Sequence, residues 1–249
     1  MNSIKTEVDF LGIIPARYGS TRFPGKPLAM IHGKPMIQHV WERVNQSRLV
    51  KNWAVATDDD RIQNAVNDFG GYCILTDTEL PSGTDRCKAA MVSSSFEPRW
   101  VINVQGDEPF IRVDQIDALA NAMKEGTADI GTLVKWNTDA QDYQNPNRVK
   151  CVRDQNGQAL YFSRSPIPFF QKAEQFKGFW KHLGLYAYTA HFLYQLDSLA
   201  PSELEKAESL EQLRWLDNGK KILTLETQWE TPCVDTPEDL EAILKLEQL

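Results

Sequence analysis

The sequence predicts an α/β fold built on a mainly parallel sheet that is covered by helices on both faces. Three observations carry this. From Phe10 to Lys135, short apolar runs alternate with amphipathic stretches of helical period. After Trp136 that rhythm changes, which marks a smaller inserted lobe near 137–182. The chain has 249 residues, 42% hydrophobic and 24% charged, so it has the size and composition of a soluble globular protein with a sizeable core. With no repeat, low-complexity tract or flexible linker in view, residues 1–249 read as one α/β domain carrying that lobe.

The elements follow in order. Phe10–Pro15 is an apolar run of strand length. Pro35–Ser47 places Ile37, Val40, Trp41 and Val44 on one helical face. Lys51–Thr57 is a second strand. Asp59–Phe69 is a helix stopped by Gly70 and Gly71. Tyr72–Leu75 is a strand, Gly83–Val92 a helix, Trp100–Val104 a strand, Val113–Lys124 a helix and Asp129–Lys135 a strand. Crossovers between parallel strands are right-handed. Beyond them, Asn137–Asn147 reads as a polar loop. Arg148–Arg153 and Ala159–Phe162 read as a hairpin around the turn residues Asp154–Gly157. Ser165–Lys177, with two prolines, reads as irregular. Leu183–Tyr188 is strand-like, Ala190–Leu199 and Leu204–Leu216 are helical, Lys221–Leu225 is a strand and Pro237–Leu246 a closing helix.

Composition excludes several functions. Lys plus Arg number 27 and Asp plus Glu 34, a net charge of −7, which argues against nucleic-acid binding. A local basic pocket for a small anion remains open. Cys73, Cys87, Cys151 and Cys233 lack the spacing of a zinc knuckle or redox pair and read as buried free thiols. That fits a reducing compartment. No apolar run has the length of a signal peptide or a membrane span, so the expected location is cytoplasmic, with no membrane partner.

Open α/β sheets bind ligands beyond the carboxyl ends of their strands, so the segments there hold the candidate chemistry. The first is Pro15–Pro27, PARYGSTRFPGKP. Arg17, Arg22 and Lys26 stand among Gly19, Ser20, Thr21 and Gly25, a pattern that suits a polyphosphate; the alternative is a solvated basic turn. Neither G-x-G-x-x-G nor G-x-x-x-x-G-K-[ST] is present. The second is NVQGDEP, where Asp107 can hold Mg²⁺ with substrate phosphates, or can simply start a turn or cap the helix near Val113. The third is CVDTPEDL. Asp235 ends an apolar segment, and helix capping is its plain alternative. Glu238 and Asp239 favour the helix dipole. The fourth is SGTDR at Ser82–Arg86, which also reads as an ordinary helix start. His32, His39 and His191 have no second ligand at metal spacing, and G-x-S-x-G is absent. Glu203–Glu211 reads as the solvated face of a helix.

Taken together and in order, IIPARYGSTRFPGKPL, SGTDR, VINVQGDEP, ALYFSRSPIP, KHLGLYAY, LEQLR and VDTPEDL resemble the 3-deoxy-manno-octulosonate (Kdo) cytidylyltransferases from about Leu11 to Leu240. The resemblance implies a Rossmann-like three-layer sandwich of nucleotidyltransferase type with a mixed, mainly parallel sheet. It implies transfer of CMP from CTP to the anomeric hydroxyl of Kdo, with Mg²⁺ as cofactor, in lipopolysaccharide biosynthesis, by a cytoplasmic homodimer. Arg17 and Lys26 match the phosphate loop, joined by Arg22, and Asp107 and Asp235 match the metal pair; these four carry catalysis. Ser82, Gly83 and Arg86 match the cytosine loop. Arg164, His182, Tyr186, Glu211 and Gln212 match the sugar pocket, and Gln105, beside the metal Asp107, is a further candidate for it. Tyr161–Tyr188, rich in aromatic residues, is the expected dimer surface. A sister group acting on 8-amino-Kdo varies the residue after the Asp of QGDEP, and Glu108 here leans towards Kdo itself. The rivals are the same chemistry on 8-amino-Kdo or a sialic acid, a non-catalytic nucleotide-binding module, and a dinucleotide oxidoreductase. The missing glycine fingerprint disfavours the last.

Overall fold

In the computed structural model, residues 5–19 and 22–245 are described. Ser20 and Thr21 of the first motif, and the expected helix end at Leu246, lie outside the described residues. The described chain forms two compact units, one running to Ala120 and resuming at Thr231, the other spanning Asn121–Glu230.

The first unit is built on β1 (Thr6–Pro15), whose Phe10, Leu11, Ile13 and Ile14 are buried. The chain then makes a 3₁₀ turn at Lys26–Leu28. A hairpin of β2 (Met30–Ile31) and β3 (Lys34–Pro35) follows, closed by His32 and Gly33 at φ 44 and 83. Two-residue strands leave no periodicity to read, which is why this hairpin was not foreseen. α1 (Met36–Val44) buries Ile37, Val40 and Val44 of the expected face together with Met36, while Trp41 of that face is half-buried. β4 (Asn52–Thr57), α2 (Asp60–Asp68), β5 (Cys73–Leu75), α3 (Gly83–Ser93) and β6 (Phe96–Asn103) follow. The side chains of Asp59 and Ser82 cap α2 and α3 by accepting the N–H of Arg61 and Asp85. β1 pairs in parallel with β4 on one side and β6 on the other, and β4 pairs in parallel with β5. The order is therefore β6-β1-β4-β5. β6 begins before the apolar run because Phe96–Pro98, where Glu97 and a proline interrupt the strand pattern, still pairs with Thr6–Val8. Hydrogen-bonded register needs no apolar side chain.

α4 (Val113–Glu125) carries the chain out of this unit. In the second unit β7 (Ile130–Asn137) pairs in parallel with β11 (Ile222–Glu226) and antiparallel with β10 (Phe179–Thr189). β10 starts earlier than the sequence suggests because Phe179–His182, although it contains Lys181 and His182, pairs with Asn137–Val134; a register shift follows between Leu183 and Tyr186. The expected hairpin is present as β8 (Lys150–Arg153) and β9 (Ala159–Ser163), with Asp154 accepting the N–H groups of Asn156 and Gln158 in the turn. Two expectations need correction. The polar stretch 137–147 holds a short helix, α5 (Ala140–Gln144), because Asp139 accepts the N–H of both Gln141 and Asp142. α6 (Ala190–Gln195) is followed by two helices instead of one, α7 (Glu203–Glu208) and α8 (Gln212–Asp217). Ser209 separates them at φ 50, in the left-handed region. α9 (Pro237–Leu244) closes the chain in the first unit.

All four cysteines are free thiols, and Cys87 and Cys151 are buried as expected. Cys73 is half-buried and Cys233 is exposed, which corrects the reading of both as buried. Val234, next to Cys233, is fully buried against Ile31, Met36 and Ile243. In extended chain, adjacent side chains point opposite ways, so burying Val234 turns Cys233 outward.

Candidate active site

In the order β6-β1-β4-β5 the chain leaves the end of β1 towards one side and reaches β6 on the other. The carboxyl ends of β1 and β6 thus flank the switch point where such sheets hold ligands. A cleft of about 250 Å³ lies there. Its lining includes Arg17, Arg22 and Lys26 from the segment after β1, Ser82, Gly83 and Arg86 from the start of α3, Gln105 and Asp107 after β6, and Asp235 before α9. Residues from four separated motifs therefore meet in one place.

Each is held by local structure. Gly25 sits at φ 69, a region that favours glycine, and its N–H bonds the Tyr18 carbonyl at 2.9 Å. This turn starts the 3₁₀ helix that presents Lys26. After β6, Gly106 lies so close to the Pro15 carbonyl that a Cβ there would stand 2.9 Å from the oxygen. Only glycine lets this turn press against the end of β1. Lys26 Nζ donates to Asp107 Oδ2 at 2.6 Å and to Asp235 Oδ1 at 3.4 Å, and Arg22 Nη2 reaches Asp235 Oδ1 at 3.3 Å. The Lys26 side chain is 14% exposed, so this contact is partly shielded from water.

Capping does not account for Asp235. Thr236 caps α9 in a capping box with Asp239, whose carboxylate accepts the N–H of both Thr236 and Asp235. The Asp235 carboxylate is thereby left to Lys26 and Arg22. Glu108, half-buried beside Asp107, has its pKa pushed up to about 8 by burial and then by the Asp107 charge. That favours its protonated form at neutral pH. Among the described residues no group of three or more His, Cys, Asp or Glu side chains forms a metal cluster. Two carboxylates meeting at one ammonium are an oxygen-only pair, and Mg²⁺ usually takes one or two protein carboxylates with phosphate oxygens supplying the rest. The donor set fits Mg²⁺.

Arg86 has a role the sequence did not reveal. It is 3% exposed, and its guanidinium donates to Thr76 Oγ1 at 2.5 Å and to Asp58 Oδ2 at 3.1 Å. Asp58 and Thr76 follow β4 and β5, so their position at strand ends was the available signal. Gln105 donates to Asn103 Oδ1 at 3.3 Å and lines the same cleft.

The remaining sugar-pocket candidates lie in the second unit. His182 Nε2 is 3.0 Å from the Thr132 hydroxyl, which also stands 2.9 Å from the Leu185 carbonyl. The hydroxyl donates to the carbonyl and accepts from Nε2–H, which leaves Nδ1 of His182 as the acceptor nitrogen. Burial lowers the His182 pKa to about 4, so the ring is neutral at physiological pH. Its ring lies 5.4 Å from that of Tyr186 and 5.1 Å from that of Phe162. Burial, then the Glu211 charge, raises the Tyr186 phenol well above its ordinary value. Tyr186 and Glu211 are therefore electrostatic neighbours. Gln212 is buried at the start of α8. Arg164 is held from every side. Its Nε, Nη1 and Nη2 donate to the carbonyls of Glu208, Pro146 and Ser209, its N–H bonds Glu208 Oε2, and its carbonyl accepts from Lys150. Glu208 also accepts from the Ser163 hydroxyl at 2.6 Å. Glu208 and Glu211 are thus engaged within a stretch read as mostly the solvated face of a helix.

Comparisons with known proteins bear on the chain as a whole. A family model described as cytidylyltransferase matches residues 11–222. A 3-deoxy-manno-octulosonate cytidylyltransferase of Thermodesulfovibrio yellowstonii is 49% identical over 94% of this chain and 96% of its own. The enzyme of the same name from Parabacteroides distasonis is 48% identical, again over 94% and 96%. A solved structure of CMP:2-keto-3-deoxy-manno-octonic acid synthetase complexed with CTP superposes with TM-score 0.91 at 44% identity, covering 96% of this chain and 98% of that one. A cytidylyltransferase from Leptospira borgpetersenii, at 17% identity and TM-score 0.63, shares the fold. The α/β nucleotidyltransferase fold anticipated from the sequence is the one observed.

Proposed function

We propose, from the premise that this chain belongs to the 3-deoxy-manno-octulosonate cytidylyltransferase family, that it transfers CMP from CTP to the anomeric hydroxyl of Kdo and releases pyrophosphate. The observation that carries the mechanism is the Lys26 ammonium shared by Asp107 and Asp235 at the end of the first strand.

Transfer to the α-phosphorus is mainly positioning and charge neutralisation. Arg17, Arg22 and Lys26 line the cleft on the side of the first motif and supply cations for the triphosphate. Ser82 and Gly83, small residues at the capped start of α3, leave room for the cytosine and present backbone groups to it. Asp107 and Asp235 would hold Mg²⁺, which when bound neutralises phosphate charge and favours ionisation of the attacking hydroxyl. Lys26 then belongs with the phosphates, since the carboxylates it bridges are the ones the cation takes.

The sugar acid is assigned to Gln105, Arg164, His182, Tyr186, Glu211 and Gln212, and the segment near 137–182 is read as the sugar-binding and dimerisation lobe. The neutral His182 and the un-ionised Tyr186 phenol suit hydroxyl recognition, and Arg164 suits the sugar carboxylate. We also infer a homodimer acting in the cytoplasm in lipopolysaccharide synthesis. Support for the dimer is the exposed Phe169, at 85%, within the aromatic stretch Tyr161–Tyr188. Among the described residues no helix is long and apolar enough to cross a membrane.

Pyrophosphate release with CTP and Mg²⁺ tests this reading, comparing Kdo, 8-amino-Kdo and N-acetylneuraminic acid with an EDTA control. EDTA-sensitive release with Kdo preferred is expected. Release only with another sugar overturns the pocket assignment, and release unaffected by EDTA overturns the metal assignment.

A further inference from the structure

We propose that Arg61 and Tyr18 are positioning residues for the triphosphate loop: Arg61, locked by Asp59, clamps the Tyr18 ring, and Tyr18 sets the turn at Gly25 that presents Lys26. The inference rests on the CTP reading of the cleft. Neither residue lines that cleft.

The contacts form a continuous chain. Arg61 Cζ lies 3.3 Å from the centroid of the Tyr18 ring, a close cation–π stack. The guanidinium is fixed in its own plane by Asp59, with Nε on Oδ1 at 2.9 Å and Nη2 on Oδ2 at 2.6 Å. Asp59 is itself anchored. Its backbone N–H donates to Thr57 Oγ1 at the end of β4, and its carboxylate caps α2 through the Arg61 N–H. The stack therefore rests on the sheet and on a helix end. The Tyr18 ring also abuts Gly25, where a Cβ would lie 3.0 Å from Cε2 and Cζ. The Tyr18 carbonyl accepts the Gly25 N–H at 2.9 Å, and Lys26 is the next residue.

A stability role alone explains this poorly. The Arg61 side chain is 59% exposed, and exposed ion pairs contribute little to folding. A bidentate, stacked guanidinium does restrict where the loop can go. Arg17, Arg22 and Lys26 all belong to this loop. Ordering it before the nucleotide arrives lowers the entropic cost of binding. The same turn after β4 also serves the base side of the cleft, because Asp58 pairs with Arg86. One turn thereby orders both halves of the nucleotide site.

The test measures the CTP dissociation constant by calorimetry without any sugar acid, beside the thermal midpoint. Arg61→Ala and Tyr18→Ala are each expected to weaken CTP binding about tenfold, the scale of a partly desolvated cation–π contact. Tyr18→Phe keeps the ring and should bind like the wild type. The double variant Arg61→Ala/Tyr18→Ala should be no weaker than either single one, because both remove one clamp. Thermal midpoints should stay within a few degrees of wild type. Unchanged CTP affinity in both single variants, or additive losses in the double, overturns the clamp. A wild-type protein that binds no CTP overturns the nucleotide reading itself and the clamp with it.

Discussion

Val234 donates its backbone N–H to the carbonyl of Asp107 over 3.0 Å. That single bond brings together two motifs that lie far apart in the chain. It sets Asp235 beside Asp107, and both carboxylates then reach Lys26 Nζ. Asp107→Asn and Asp235→Asn keep the side-chain shape and remove the charge. Each should lower kcat about 100-fold or more, comparable to losing one preorganised electrostatic group. Circular dichroism and the thermal midpoint should stay close to wild type. Wild-type turnover in either variant removes that aspartate from the metal pair.

Lys26→Ala should act mainly on the nucleotide. The expected result is a rise in the KM for CTP of about tenfold or more, from the loss of a charge-assisted contact to phosphate. Initial-rate kinetics with CTP varied at saturating sugar acid measure this. Unchanged CTP kinetics would take Lys26 out of the phosphate site.

Arg86 and Asp58 form a buried pair, with side chains 4% and 14% exposed. Arg86→Met strands the Asp58 carboxylate in the interior, and breaking such pairs costs about 3–5 kcal/mol. Denaturant titration should show that loss, and Asp58→Asn in the Arg86→Met background should recover part of it. An Arg86→Met protein of wild-type stability would mean that Arg86 serves the ligand and not the fold.

His182 gives stability a pH dependence. Its pKa is about 4 in the folded protein and 6.5 when unperturbed. Between these values the unfolded chain binds the proton and the folded chain does not, so stability falls as pH drops from 6.5 towards 4. At pH 5 the loss through this group is about 2 kcal/mol relative to pH 7.5. His182→Gln should flatten the acid limb of a denaturant-midpoint profile by that amount. An unchanged limb would show that the ring is solvated.

Glu208 accepts from the Ser163 hydroxyl and from the Arg164 N–H. Glu208→Ala should loosen Arg164 and raise the KM for the sugar acid about tenfold while the KM for CTP stays constant. Equal changes in both constants would indicate a general loss of structure.

Much of the fold was legible because it rests on local pattern. Ile37, Val40 and Val44 repeat at helical spacing, and the apolar runs at β1, β4 and β6 are the signature of strands buried on both faces. Elements set by hydrogen bonds were not legible. The Asp139 cap makes a helix of a polar segment, and Ser209 at φ 50 breaks what periodicity reads as one helix. Phe179–His182 likewise joins β10 by pairing with Asn137–Val134, with the polar Lys181 and His182 in the run.

In the site, side-chain chemistry and chain position singled out the segments that hold Arg17, Arg22, Lys26, Ser82, Gly83 and Asp107, but left a turn or a helix start open for Asp107 and for Ser82–Arg86; the family resemblance is what favoured the nucleotide reading there. Asp235 reads first as a cap in the chain, because a carboxylate before Thr-Pro-Glu-Asp suits that role, and the family resemblance is what pairs it with Asp107. Only the folded protein resolves it: Asp239 takes the capping N–H groups, and the Val234–Asp107 bond delivers Asp235 to Lys26. The buried Asp58–Arg86 pair and the Arg61–Tyr18 stack lay beyond reach of the sequence for the same cause. Local spacing encodes which face of an element is apolar. It does not encode which partner a charged side chain meets once distant strands lie side by side.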